Sequence, residues 1–136
     1  MGFMPEVARH KQSVGAEDVK LLFNIVPEAA KYLTERDIQQ VAKTTVFNCR
    51  PDALCVSGLT AGSETDSEIL KQVKDVAAHT PVFANTGCRL NNIEKQLSIA
   101  DGAVVGTTFK RDGKFENEVD ESRVKEFMDV VNSFRA

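Results

Sequence analysis

The chain has 136 residues, 42% of them hydrophobic and 27% charged, which suits one compact domain over residues 1–136 and is too little for two. A formal net charge of −3, a single Tyr and no Trp argue against nucleic-acid binding, which relies on a broad basic footprint. No apolar run approaches the roughly 18 residues of a membrane span, and the N-terminus lacks a charged start and long apolar stretch, so no secretory signal is expected and the cytoplasm is the expected location.

Residues 6–12 read as a short helix. The first strand signal is residues 19–26 (VKLLFNIV), closed by Pro27, an apolar run rich in strand formers. Thr34 then offers a helix cap with acids in the first turn. Ile38, Val41, Ala42, Thr45 and Val46 follow on one helical face, and Pro51 ends that helix. The second strand signal is residues 53–57 (ALCVS), with a loop over 58–63. Thr65 through Glu68 form a capping-box pattern, opening a helix whose Ile69, Val73, Val76 and Ala77 share a face.

Residues 81–85 (PVFAN) are the third strand signal and run into Thr86-Gly87. The capping pattern recurs over 91–94, ahead of a helix with Ile93, Leu97 and Ala100 inside. Residues 103–107 (AVVGT) are the fourth strand signal, followed by a polar loop with an Asp112-Gly113 turn. Asp120 caps a last helix with Val124, Phe127, Met128 and Val131 as its apolar stripe.

Four short apolar runs alternating with amphipathic helices predict an α/β fold of four consecutive βα units with parallel strands. The pattern leaves two architectures open: an open doubly wound sheet, or an arc of a βα barrel. Since a closed barrel needs eight strands and about 250 residues, four units supply half of one. Cys49, Cys55 and Cys88 are far apart and make no C-x-x-C pair, so free thiols are expected and neither disulfide nor zinc spacing is present. His10 and His79 read as surface residues. No metal or cofactor pattern is found, and none is expected.

Ligands of parallel βα folds sit at the carboxyl ends of the strands. Three of the four ends join glycine to hydroxyl or amide side chains. They are Ser57, Gly58 and Thr60; Asn85, Thr86 and Gly87; and Gly106, Thr107 and Thr108. Such residues suit an anion, through close backbone approach, free N–H groups and extra donors. Glycine and threonine also serve ordinary turns. For the loop over 58–63 turn geometry suffices, with Ser57, Gly58 and Thr60 as its substrate-contacting candidates. For the third and fourth loops, phosphate binding and turn geometry are equally open. Lys110 and Arg111 are either phosphate-binding charge or a solvated turn. The catalytic residues are unknown; Glu28, the carboxylate nearest the first strand end, and Asn24 before it are weak candidates, because sequence cannot show proximity to a reacting atom.

The strings VKLLFNIVPEAA, PDALCVSGLTAG, ANTG, ADGAVVGTTFKRDGKFEN and VDESRVKEFM together resemble the BtpA family, in particular its SgcQ-like members found with bacterial sugar-uptake genes. The resemblance runs over nearly the whole chain. It implies a TIM-type (β/α)8 barrel of the ribulose-phosphate-binding kind, of which these four units would be strands five to eight, the C-terminal half. It also implies a phosphate site after strands seven and eight, matching Asn85, Thr86, Gly87, Gly106, Thr107 and Thr108. A phosphorylated sugar is the implied ligand, with sugar-phosphate isomerase or aldolase-like lyase activity as the enzymatic expectation. The alternative is a non-enzymatic assembly or scaffold role like that of the founding member in photosystem biogenesis. Family members are about twice as long, so this chain is expected to be incomplete as an enzyme, and to pair with another copy or with the remainder of a barrel that covers its open strand edges.

Overall fold

The computed structural model describes residues 4–26, 37–60 and 62–136. Helix α1 (Met4–Ser13) precedes β1 (Leu22–Val26), α2 (Ile38–Cys49), β2 (Ala53–Val56), α3 (Ser67–Val76), β3 (Val82–Ala84), α4 (Ile93–Leu97), β4 (Gly102–Ala103) and α5 (Glu121–Arg135). The strands form one four-stranded sheet in the order β1-β2-β3-β4, and every pairing is parallel. The fold is therefore four βα units in sequence. No helix among the described residues is long and apolar enough to cross a membrane.

Register explains which residues meet. Phe23, Leu54 and Val82 are partners across three strands, and all three are buried. Leu54 and Val82, with Ile25, Val56 and Ala84, face the helices, against Val41 and Ala42 of α2, Leu70 and Val73 of α3, Ile93 of α4, and Phe127 and Val131 of α5. These pairs alternate with a second in-register row, Asn24, Cys55, Phe83 and Gly102; the side chains of Asn24, Cys55 and Phe83 stand on the face turned away from the helices. The helix stripes legible in the sequence are buried or half-buried, except that Leu70, fully buried, joins the α3 stripe and Met128 of α5 stays exposed.

Three caps differ from the sequence expectation. Asp37, not Thr34, caps α2, accepting a hydrogen bond from the Gln39 N–H; Thr34 itself lies outside the described residues. Asp66 caps α3, accepting from the N–H groups of Glu68 and Ile69. Its neighbour Thr65 is buried and donates instead to the Val56 carbonyl at 2.9 Å, so the expected capping hydroxyl is spent on tying the loop to β2. At α4 the cap position is Asn92, whose side chain makes no cap bond because it closes the preceding turn. It accepts from the Arg89 N–H and donates to the Gly87 carbonyl.

β4 is also shorter than residues 103–107. After Val104 donates to the Ala84 carbonyl the chain leaves the sheet and winds into a 3-10 turn over Thr107–Phe109. An apolar run cannot announce that, since its residues suit a strand or a buried turn equally.

The opposite end of the sheet is held by two aspartates. Asp52 accepts from the Leu21 N–H at 2.7 Å. That bond, with Lys11 and Lys20 nearby, holds its carboxyl below the usual carboxylate range. Asp101 pairs with Lys74 and accepts from the Val82 N–H. Its partial burial pushes the carboxyl up, but these partners outweigh that and hold it low.

Candidate functional site

The carboxyl ends of β3 and β4 open onto one cavity of about 710 Å³. Its lining includes Asn85, Thr86 and Gly87 after β3 and Gly106, Thr107 and Thr108 after β4. Two cations join them, Arg89 from the β3–α4 loop and Arg123 from the first turn of α5. The amides of Gly87, Cys88, Gly106, Thr107 and Thr108 make no hydrogen bond to another described residue, so the lining carries unspent donors as well as positive charge.

Each element of this arrangement has a local cause. Gly87 has φ +65°, and an added Cβ would lie 2.5 Å from the backbone of Ser63 and Glu64. The turn thus packs directly onto the β2–α3 loop. Thr86 locks the same junction. Its hydroxyl donates to the Ser63 carbonyl at 2.8 Å and accepts from the Gly58 N–H at 2.6 Å. That hydroxyl is committed to the protein, as is that of Thr108, which donates to the Cys88 carbonyl at 2.6 Å. The side-chain hydroxyl that stays uncommitted is that of Thr107, so the expected role of the threonines shifts largely to their backbone amides.

The turn carrying Thr107 and Thr108 is fastened to α5. Phe109 packs edge-to-face on Phe127 with ring centroids 5.2 Å apart, and Arg123 donates from Nε to the Thr108 carbonyl at 2.8 Å. The following loop folds back through an antiparallel bridge between Lys110 and Val119, over an Asp112-Gly113 turn with both residues at positive φ, as expected. It brings Phe115, 79% exposed, to the cavity wall.

Lys110 and Arg111, the basic residues singled out in the sequence, do not line the cavity. Reading alone missed Arg89 and Arg123. One signal for Arg123 was available: a cation in the first turn of a helix sits against the macrodipole, which calls for another reason for its presence. Glu64 is turned to α4, where it accepts from Gln96 at 3.1 Å and pairs with Lys95 at 3.4 Å.

Of the second loop's candidates, Ser57 and Gly58 are buried and Thr60 is exposed. Gly58 is required by space: an added Cβ would lie 2.5 Å from the Ser63 carbonyl oxygen. Ser57 receives hydrogen bonds from both Asn24 and Asn85, so three residues singled out from three different strand ends are brought together. Glu28 lies outside the described residues. Cys49, Cys55 and Cys88 are free and buried; burial first, and the nearby Glu64 second, push the Cys88 thiol up to about 11. A thiol so protonated is a poor nucleophile. His10 and His79 are exposed.

The model of the family described as "BtpA family" matches residues 2–133. The sgc-region protein SgcQ of Escherichia coli (strain K12) is 61% identical over 130 residues, covering 96% of this chain and 48% of that protein. The photosystem I biogenesis protein BtpA of Synechocystis is 26% identical over 126 residues, covering 93% of this chain and 44% of that protein. Among solved structures, an archaeal fructose 1,6-bisphosphate aldolase superposes with a TM-score of 0.63 at 19% identity, over 96% of this chain and 52% of that one. N-(5'-phosphoribosyl)anthranilate isomerase from Pyrococcus furiosus gives 0.62 at 15% identity, over 95% and 57%. The chain thus spans about half the length of the curated relatives it matches, and its fold is that of a partial (β/α) barrel.

Proposed function

The chain belongs to the BtpA family, and from that premise we propose that it binds a small phosphorylated ligand, a sugar phosphate, at the carboxyl ends of β3 and β4. The observation that carries this reading is one cavity in which Asn85, Thr86, Gly87, Gly106, Thr107 and Thr108 stand beside Arg89 and Arg123. Unspent amides and two guanidinium groups suit a dianion, through oriented N–H dipoles and charge-assisted hydrogen bonds. The two solved structures compared above are both named for phosphorylated substrates, which supports the ligand class. A sugar-phosphate isomerase or an aldolase-like lyase is the corresponding enzyme class, with residues beyond this chain completing its chemistry. An assembly role rests on one relative's name, and no described feature of this chain favours it.

The reading is tested by thermal unfolding with added ligand. Inorganic phosphate and ribose 5-phosphate at about a hundred times Kd are expected to stabilise the folded state by about 2.7 kcal/mol, seen as a rise in Tm. A Tm unmoved by a panel of sugar phosphates sinks the reading.

The sheet edges carry a second part of the proposal. β1 and β4 each have one side unpaired among the described residues, and Leu22 and Val104 beside them are exposed. Such edges are templates for further strands. A second copy, or the other half of a longer barrel, covers them. Light scattering of this chain is expected to give a dimer; a monomer that unfolds cooperatively contradicts that expectation.

A further inference from the structure

Beside the cavity, on the sheet face turned away from the helices, lies a polar cluster that phosphate binding does not require. Asn24 donates from Nδ2 to Ser57 Oγ at 2.6 Å, and its Oδ1 accepts the Val26 N–H at 3.2 Å. The backbone bond fixes which way the Asn24 amide points. Asn85 donates from Nδ2 to the same Ser57 oxygen at 2.9 Å. Ser57 is 2% exposed, and a hydroxyl oxygen has two lone pairs, so both are taken. Its own proton has no acceptor, and Asn85 Oδ1 no donor, among the described residues. Asn85 also lines the cavity, which makes the cluster continuous with the anion site.

The surroundings narrow what this cluster can meet. The row of residues in register with Asn24 is Cys55, Phe83 and Gly102, an uncharged floor. Burying neutral polar side chains against such a floor costs free energy unless their bonds are completed, and here a donor and an acceptor are left over. No Lys or Arg stands on this row, so a second phosphate finds no counter-charge there. A hydroxyl or carbonyl oxygen does find partners, because a hydroxyl both donates and accepts.

We propose that Asn24, Ser57 and Asn85 form a neutral subsite for the hydroxylated carbon chain of a phosphate ester, whose phosphate occupies the adjoining cavity. Asn85 Oδ1 and the Ser57 hydroxyl touch the ligand; Asn24 acts through Ser57 as a positioning residue, occupying a lone pair of that hydroxyl so that its proton is left for the ligand. The proposal rests on the phosphate reading above, and deepens it by separating recognition of the carbon chain from recognition of the anion.

Calorimetry on the 136-residue chain with inorganic phosphate, n-propyl phosphate and ribose 5-phosphate tests it. The unmodified chain is expected to prefer ribose 5-phosphate over n-propyl phosphate. Ser57→Ala and, separately, Asn24→Ala are expected to weaken ribose 5-phosphate about tenfold while inorganic phosphate stays within about twofold, since one well-made neutral hydrogen bond is worth roughly that much. Two variants guard against one of them failing to fold. Unchanged ribose 5-phosphate affinity in the folded variants, or an equal loss for inorganic phosphate, overturns the subsite while leaving the anion site standing. Failure of the unmodified chain to bind any of the three sinks the phosphate reading and the subsite with it.

Discussion

Gly87→Ala is expected to lower stability by about 2–3 kcal/mol and to abolish phosphate binding, whereas Gly106→Ala is expected to cost less than about 1 kcal/mol. Both glycines line the same cavity, and their sequence contexts look alike. The structure separates them. Gly87 sits at φ +65°, and its missing Cβ leaves room for the backbone of Ser63 and Glu64 at 2.5 Å. A side chain there pays twice, in left-handed strain and in a displaced loop that the hydroxyl of Thr86 also holds. Gly106 has open space where a Cβ would stand, so alanine fits. Denaturant unfolding with a constant m-value measures the difference. Equal effects at the two positions would show that the loop packing is not as described. Gly106→Asp adds the complementary case: a folded protein whose cavity repels the anion.

Arg123→Met is expected to weaken inorganic phosphate binding at least tenfold, about 1.4 kcal/mol, with a smaller loss of stability. The guanidinium has two functions. Its Nε donates to the Thr108 carbonyl and so fixes the turn that carries Thr107, while the rest of the group lines the cavity with positive charge. Arg123→Lys keeps the charge but loses the planar fork, so an intermediate affinity is expected. Titration calorimetry at low and high ionic strength reads the charge contribution, since screening weakens it. If Arg123→Met binds phosphate as tightly as the unmodified chain, the cavity is not an anion site.

Much of the fold was legible because strand and helix periods differ and the punctuation is strong. Residues 53–57 and 81–85 read as strands and contain β2 and β3. Ile38, Val41, Ala42, Thr45 and Val46 repeat at helical spacing and lie on the packed or half-buried side of α2. What the sequence could not show depends on tertiary approach. Thr65 and Asp66 are both good caps in isolation, and only the nearness of the Val56 carbonyl decides that Thr65 serves the sheet. The fourth strand ends early because the chain turns toward α5, where Phe109 finds Phe127.

The site divides the same way. Placing Asn85, Thr86, Gly87, Gly106, Thr107 and Thr108 at strand ends needed only the βα alternation, because parallel strands deliver their carboxyl ends to one side. Which of their polar groups are spent inside the protein, and which cations face the cavity, needed the packing. Arg123 is 36 residues beyond Gly87 in the chain, a separation that no local pattern bridges. The meeting of Asn24, Ser57 and Asn85 depends on strand order and on a common face, both of which are properties of the sheet.

The most direct measurement is an amide-resolved NMR titration of the isotopically labelled chain with inorganic phosphate. Saturable shifts concentrated at the N–H groups of Gly87, Cys88, Gly106, Thr107 and Thr108, with the Arg89 and Arg123 side chains moving in step, are the predicted result. Shifts that are absent, unsaturable, or gathered at the opposite end of the sheet around Asp52 and Asp101 contradict it.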